Sequence, residues 1–517
     1  MIQNIMELNR QILLLFLLVP LFVGFLSIFS KHFYIKKICN INIFCYLILT
    51  LLSIFLFFNI LFSSPIIYEI GLFGKYGIIL IMDSLSSIFI CLSSILSLFV
   101  IIYSYFYFKT TNQNIQYYQS FNFMLFGING IFLTNDLFNL YIFFEIMFFS
   151  SLVFIFFSEK KKLINIDYRI EAIYKYLLLG IFSSFFLLLG IIFVYSLLGS
   201  LNLSDIANKI YLLSYYGNFQ LIIIVSCILF IISFGNKIAL FPFHFWLPDV
   251  HPIVPAPISS ILSSLLTKVG VYCIIRILYI VFYPYKLYFI PMLQFLSIIT
   301  IIIGSISAVV QYDLKKILAY STISQLGYII FCLSLDTYLS IFTSIIYIIS
   351  HSFSKLMMFL ISGKIISLSH TKNIYKINFS TLRKVFPLYS LGFFIGSLCL
   401  SGIPPTVGFI AKYLLFYSFI FTASNNIFIL IILSISSICT LYYTINTWIK
   451  IFLEENIEVL NKKRKISLLE NIPIFIIIFL LIYIGIFPNN LFFIVDQITR
   501  NIFHPEYYIL LIIKRYL

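Results

Sequence analysis

Charge is the first thing this sequence lacks. Asp, Glu, Lys and Arg make up 10% of its 517 residues, where soluble domains carry about 25%. Acidic residues are the scarcer sign, 18 against 33 Lys and Arg, which leaves a net charge of +15. So few charges exclude a cytosolic enzyme, a disordered chain and a nucleic-acid-binding module. The 8 cysteines include no Cys-x-x-Cys pair, so neither a zinc site nor an iron–sulfur cluster is expected. All of them fall in apolar runs and read as small buried hydrophobes. No Gly-x-Gly-x-x-Gly or Walker pattern occurs, which removes the phosphate cradle that hydride or phosphoryl chemistry needs. No short hydrophobic segment with a small-residue cleavage site opens the chain; the first apolar run, Gln11 to Phe29, is long enough to stay as a membrane span. No cofactor and no metal are expected.

What fills the chain is apolar: 62% of residues, with a mean hydropathy of +1.08. A spanning helix needs about 20 apolar residues. Spans read at 11–29, 38–62, 84–108, 120–135, 137–157, 173–198, 220–241, 258–283, 289–310, 317–334, 338–363, 388–421, 426–449 and 471–492. Backbone polar groups in a bilayer need internal partners, and no barrel-type alternation appears, so the fold class is an all-α membrane protein of about 14 transmembrane helices. Residues 64–82, with Gly71, Gly74 and Gly77, read as an external hairpin or loop. The bias to Ile, Phe, Tyr, Asn and Lys suits an AT-rich genome, bacterial or organellar.

Twenty-one Lys and Arg fall in loops after odd-numbered spans, Lys175, Lys315 and Lys364 among them, and seven on the other side. The positive-inside rule puts the larger group in the cytoplasm or matrix and both termini outside. That accounts for the basic excess and leaves no case for a nucleic-acid partner. Five basic residues remain inside spans: Lys237, Lys268, Arg276, Lys355 and Lys412. Glu145 and His351 join them. A charge at the bilayer centre costs about 2.5–3.5 kcal/mol on insertion scales and marks a functional path by default. Arg276 lies near its span's end, where a long side chain snorkels, so its reading is bland. His351 and Lys355, four residues apart, share one helix face.

Two spans are broken. Pro242 follows Lys237 by five residues, and Pro248, Pro252, Pro255 and Pro257 come next; in the twelfth span, Gly402-Ile-Pro404-Pro405 precedes Lys412 by seven. Proline removes a backbone donor and breaks the helical ladder. Paired breaks in corresponding positions of two halves signal inverted repeats with an ion site at each break. These breaks lie five spans apart, and an odd shift inverts topology. The expected division is 1–110 for helices 1–3, 111–285 for a first repeat of helices 4–8, 286–450 for a second of helices 9–13, and 451–517 for the last helix and tail. Amine, imidazole and carboxylate each take and release a proton, so a chain of Lys, His and Glu with water between them is a proton wire.

These motifs resemble a known family. Asp136-Leu-Phe-Asn-Leu-Tyr-Ile-Phe-Phe-Glu145, the segment from Phe234 through Lys237 and His244 to Asp249-Val-His251, and Leu266-Thr-Lys268-Val-Gly-Val-Tyr272 are similar to the fifth, seventh and eighth helices of the antiporter-like membrane subunits. Those subunits are shared by Mrp-type monovalent cation/proton antiporters and respiratory complex I. Gln311 to Gln325, His351-Ser-Phe-Ser-Lys355 and Leu400 to Lys412 resemble the tenth, eleventh and twelfth. The lysine rather than glutamate in the twelfth helix is most like the D-type antiporter subunit. The resemblance implies a proton-translocating subunit of a multi-subunit Na+/proton antiporter, with other membrane subunits, protons, a monovalent cation and the lipid bilayer as partners. The alternative is a proton-pumping subunit of NADH:quinone oxidoreductase. It implies Glu145 and Lys237 as the coupling pair, Lys268 as central relay, His351 and Lys355 on the connecting path and Lys412 at the exit. Asn236 departs from the pattern. His244, Asp249 and His251 are left between loop-capping and transport. The implied location is a bacterial inner membrane with both termini periplasmic, or alternatively the mitochondrial inner membrane.

Overall fold

The computed structural model describes residues 2–29, 35–62, 64–70, 78–108, 114–156, 166–216, 220–377, 387–421, 426–453 and 468–505. Of the loop charges, Lys31, Lys75, Lys109, Lys160, Lys161, Lys162, Arg383, Lys384, Lys462, Lys463, Arg464, Lys465, Lys514 and Arg515 lie outside the described residues.

The chain opens with α1 (Ile2–Phe29) and α2 (Ile35–Phe62), then a hairpin of β1 (Ile66–Ile70) and β2 (Ile78–Met82). The strands pair antiparallel from Ile66 with Met82 to Ile70 with Ile78, in the segment expected as a hairpin or loop. There follow α3 (Ser84–Tyr107), α4 (Asn114–Leu133), α5 (Leu137–Phe156), α6 (Ile166–Leu198), the amphipathic α7 (Leu203–Tyr216), α8 (Gln220–Ile238) and the short α9 (Trp246–Val250). The second part holds α10 (Ala256–Val281), α11 (Lys286–Val310), α12 (Leu314–Ser334), α13 (Tyr338–Ser369), α14 (Pro387–Ser401), α15 (Val407–Ile420), α16 (Ile427–Phe452), α17 (Leu468–Ile486) and the amphipathic α18 (Asn489–Phe503). Among the described residues, 12 helical segments are long and apolar enough to cross a membrane. The two other expected spans fall on α4, which carries Gln116, Gln119, Asn122 and Asn129, and on the shorter pair α14 and α15. The chain is an all-α, multi-pass membrane protein with one small hairpin. Its innermost helices, α10 and α13, are buried along their full apolar length.

Local motifs recur. Asp136 before α5 accepts from Asn139 N at 2.8 Å, and Asp313 before α12 accepts from Lys315 N at 2.8 Å, the cap that a helix start demands. Each flanks a strand-like bridge. Leu137 N donates to Leu201 O and Leu203 N to Asn135 O, both at 2.9 Å; Leu314 N donates to Lys372 O and Ile374 N to Tyr312 O, both at 3.0 Å. Both broken helices end alike, with Leu240 N on Gly235 O at 2.8 Å and Ile403 N on Leu398 O at 3.0 Å. Each cap has a left-handed residue beside it, Ala239 (φ 65°) and Gly402 (φ 77°). This is the six-to-one closure of a helix C-terminus. Close helix contact is also repeated: a Cβ on Gly127 of α4 would strike the backbone of α5, and one on Gly304 of α11 the backbone of α12.

Candidate functional site

The first break fixes Lys237 in the last turn of α8. Asn236 secures that turn: its amide donates to Leu179 O of α6, and its carbonyl accepts from Trp246 Nε1 of α9 at 2.9 Å. The residue that departs from the family pattern thus ties three elements at the break. The Lys237 ammonium lies over aromatic faces, 4.3 Å from the Phe148 ring centre, 5.0 Å from Phe144 and 5.8 Å from Tyr176, an arrangement that attracts a cation without neutralising it. Phe144 and Phe148 bracket Glu145 on α5. Glu145 and Lys237, expected as a pair, are therefore on neighbouring helices but not in salt-bridge contact, and Glu145 Oε1 is buried with no hydrogen-bond partner.

Lys268 sits where α10 changes winding. Leu262–Leu266 and Ile274–Val281 are wound as π-helix, a feature that re-aims carbonyls at functional sites. Ser263 O accepts from Lys268 Nζ at 2.6 Å and from Thr267 Oγ1 at 2.9 Å. Ser263 Oγ lies 3.0 Å from Thr322 Oγ1, which donates to Leu318 O at 2.8 Å. That same carbonyl accepts from Lys355 Nζ at 3.0 Å, and Lys355 also donates to Ser321 Oγ. The two amines on α10 and α13 thus sit on backbone carbonyls at either side of the Ser263–Thr322 hydroxyl contact. His351, one turn before Lys355, is 1% exposed and neither ring nitrogen has a partner.

The second break holds Lys412 in α15. Its ammonium donates to Ser401 O at 3.2 Å and Thr440 Oγ1 at 3.1 Å and lies 5.2 Å from the Tyr328 ring centre. Gly402 serves twice here: its φ favours a residue without a Cβ, and a Cβ would collide with the Lys412 stem. Among the described residues, Lys237, Lys268, Lys355 and Lys412 have no carboxylate within salt-bridge distance.

Three sequence readings need correction. Arg276 does not snorkel. It is 3% exposed and grips Asp83 with two bonds of 2.7 Å, while its Nε donates to Tyr272 OH at 3.1 Å. Burial alone would raise the Asp83 carboxyl, but the guanidinium and Ser86 hold it below the usual carboxylate range. Asp83, just before the third span, was the overlooked signal. Lys315 is no loop charge: it is fully buried and its ammonium donates to Val254 O at 2.7 Å, while Lys372 donates to Pro252 O. Both pin the turn between α9 and α10. Lys175 and Lys364 are helical, paired with Asp249 at 2.7 Å and Glu470 at 2.6 Å.

That leaves the loop residues. Asp249 is a structural tie, held by Lys175 and by Tyr168 OH at 3.2 Å. His251, in the pinned turn outside the apolar spans, stacks on Phe359 with ring centres 4.7 Å apart, and neither nitrogen has a partner. Burial and then the charges of Lys315, Lys355 and Lys268 push its imidazole down to about 3, so it is a neutral group among amines. His244 Nδ1, Ser264 Oγ, Gln325 Nε2 and the Tyr443 hydroxyl are also buried and unpartnered. Such groups in native proteins are satisfied by ordered water.

Over residues 134–440 the chain matches the family described as NADH:quinone oxidoreductase/Mrp antiporter, TM. It is 31% identical over 510 residues to the D-type Na(+)/H(+) antiporter subunit of Alkalihalophilus pseudofirmus, covering 98% of this chain and 100% of that one. It is 32% identical over 443 residues to the D-type Na(+)/H(+) antiporter subunit of Bacillus subtilis, with 85% and 87% covered. A chain in the structure of the Mrp complex from Dietzia sp. superposes with a TM-score of 0.87 at 21% identity, covering 97% of this chain and 99% of that one. At that identity the likeness bears on the fold alone.

Proposed function

Because the chain belongs to the NADH:quinone oxidoreductase/Mrp antiporter transmembrane family, we propose that it is the proton-translocating membrane subunit of a multi-subunit Na+/proton antiporter. The observation that carries this is the row of four buried amines without carboxylate partners, two of them at helix breaks. Arg276, the buried cation gripped by a carboxylate, is held as a structural charge is; a titratable group inside a membrane without such a partner is a functional candidate by default. Protons pass in this reading between Glu145, Lys237, Lys268, His351, Lys355 and Lys412, with Glu145 and Lys237 coupling at one end and Lys412 at the exit. The recurring caps, bridges and breaks support two inverted five-helix repeats, 111–285 and 286–450, and fourteen crossings. Sodium as the cation follows the names of the two relatives.

Partner membrane subunits have a specific support. Glu145 shares its stripe of α5 with Phe138, Ile142 and Phe149, which are 46%, 38% and 57% exposed. A carboxylate on an outward stripe at mid-span is too costly against lipid, and a protein partner there removes the cost. The test is the native complex. Its mass should show several antiporter subunits, and in everted vesicles it should exchange Na+ for protons without oxidising NADH. NADH oxidation coupled to the same complex would transfer the chain to the alternative, complex I.

The location we propose is a bacterial inner membrane, with the mitochondrial inner membrane as alternative. The loop charge asymmetry supports both termini in the periplasm. A C-terminal alkaline phosphatase fusion is therefore expected to be active in a bacterial host; an inactive one, with an active fusion in the 377–387 connection, reverses the orientation.

A further inference from the structure

The described hydrogen bonds bring Lys268 and Lys355 to either side of the Ser263–Thr322 contact but stop short of Lys412. Three helix faces converge on the gap. From α12 come Ser321, Gln325 and Tyr328, from α13 Tyr347 and Lys355, and from α16 Ser436, Thr440 and Tyr443; spacings of three, four and eight put each set on one face of its helix. At one end Ser321 accepts from Lys355, and at the other Thr440 accepts from Lys412 at 3.1 Å. Tyr328 is committed to Leu433 O at 2.9 Å and Ser436, and Tyr347 to Gln325 Oε1 at 2.5 Å. Two polar groups in the seam are uncommitted. The Tyr443 hydroxyl lies next to Ser324, Ser321 and Gln325 but makes no hydrogen bond of normal length and angle, and Gln325 Nε2 has no partner. Tyr443 is 3% exposed and Gln325 1% exposed. Tyr443 thus stands beside the residue that holds Lys355 and one turn from the residue that holds Lys412.

We infer that Tyr443 and Gln325 hold the water that links Lys355 to Lys412, and so complete the second half of the proton path. This rests on the reading above that both lysines exchange protons. The ammonium of Lys355 gives a proton to the first water, each water passes one on, and the last gives one to the neutral amine of Lys412. Lys355 ends neutral, Lys412 ends charged and the water is unchanged. Tyr443 and Gln325 orient the waters and keep their own protons at the end of each cycle. They are positioning residues, and their chemistry suits this: one hydroxyl that both donates and accepts, and one amide donor held in place by Tyr347. Packing alone at position 443 would be served by phenylalanine, which would leave no buried hydroxyl to satisfy.

Tyr443→Phe removes only a hydroxyl that makes no hydrogen bond of normal geometry to the protein, so the complex should assemble as in wild type. Na+/proton exchange in everted vesicles should fall by at least about tenfold, a modest share of what a positioned proton-transfer group contributes. Gln325→Leu should fall likewise, and the double variant little further, because both cut one link. The solvent deuterium isotope effect on the rate should rise in Tyr443→Phe, since the weakened link then limits turnover. A rate loss with an unchanged isotope effect, or failure of the complex to assemble, marks a packing role and overturns the inference. Wild-type rates in both single variants overturn it too. In that case Lys412→Arg separates the possibilities: if it is impaired, only the link is wrong; if it also runs at the wild-type rate, the proton path itself is wrong.

Discussion

A Glu145→Gln variant is expected to assemble normally and to exchange no Na+ for protons in everted vesicles. Glutamine keeps the length and shape of the side chain and loses only the charge and the exchangeable proton. The structure gives little reason for misfolding, because Oε1 has no hydrogen-bond partner to lose and, among the described residues, no lysine or arginine is in salt-bridge contact with the carboxylate. Function has much to lose. A mid-span carboxylate is retained against a cost of about 2.5–3.5 kcal/mol, and its position beside Phe144 and Phe148, the two rings that carry the Lys237 ammonium, makes it the nearest carboxylate on α5 to that amine. Protonation at Glu145 then changes the field that Lys237 feels across two aromatic faces. Normal exchange in the glutamine variant would remove Glu145 from the path and leave it as a carboxylate held only at a subunit contact.

Lys412→Arg is expected to lose most transport in an assembled complex, and Lys412→Glu to keep part of it. Arginine preserves the charge and the long stem, so the bonds to Ser401 O and Thr440 Oγ1 can be kept. It scarcely deprotonates, however, and so cannot act as a donor that is later refilled. Glutamate reverses the charge yet still carries a proton, and irregular backbone at the break gives water a way to reach it. Exchange is read from the Na+-induced proton release of vesicles across the alkaline range. An arginine variant with the wild-type rate would make Lys412 an electrostatic fixture, with the relay ending elsewhere.

The limits of sequence reading show in particular residues. Apolar length placed the helices, because a bilayer leaves an uninterrupted apolar run almost no other way to satisfy its backbone. Proline and glycine placed both breaks for the same local reason, and Gly402 with φ 77° is where the sequence put it. Ala239 gave no such signal; its left-handed conformation belongs to the six-to-one cap that Leu240 N makes on Gly235 O. Arg276 and Lys315 were misread for a related reason: nearness to a span's end is visible in sequence, but burial at that end depends on what packs there. Asp83 lies 193 residues from Arg276, and Val254 lies 61 residues from Lys315.

The amino-acid sequence by itself determined that this is a helical membrane protein with a few titratable groups where lipid would forbid them, since hydropathy and the cost of a buried charge are properties of short segments. It also singled out Lys237, Lys268, Lys355 and Lys412, though not the buried Lys315. Only the tertiary structure decided how they are connected. Ser263 on α10 meets Thr322 on α12, Tyr443 on α16 faces Gln325 on α12, and Lys237 rests on rings of α5. Serine, threonine, tyrosine and glutamine are common and mostly bland in a sequence. They become parts of a path only when helices far apart in the chain bring them to one depth and one seam, because a hydrogen bond reaches about 3 Å and nothing in a linear sequence specifies which residues lie that close.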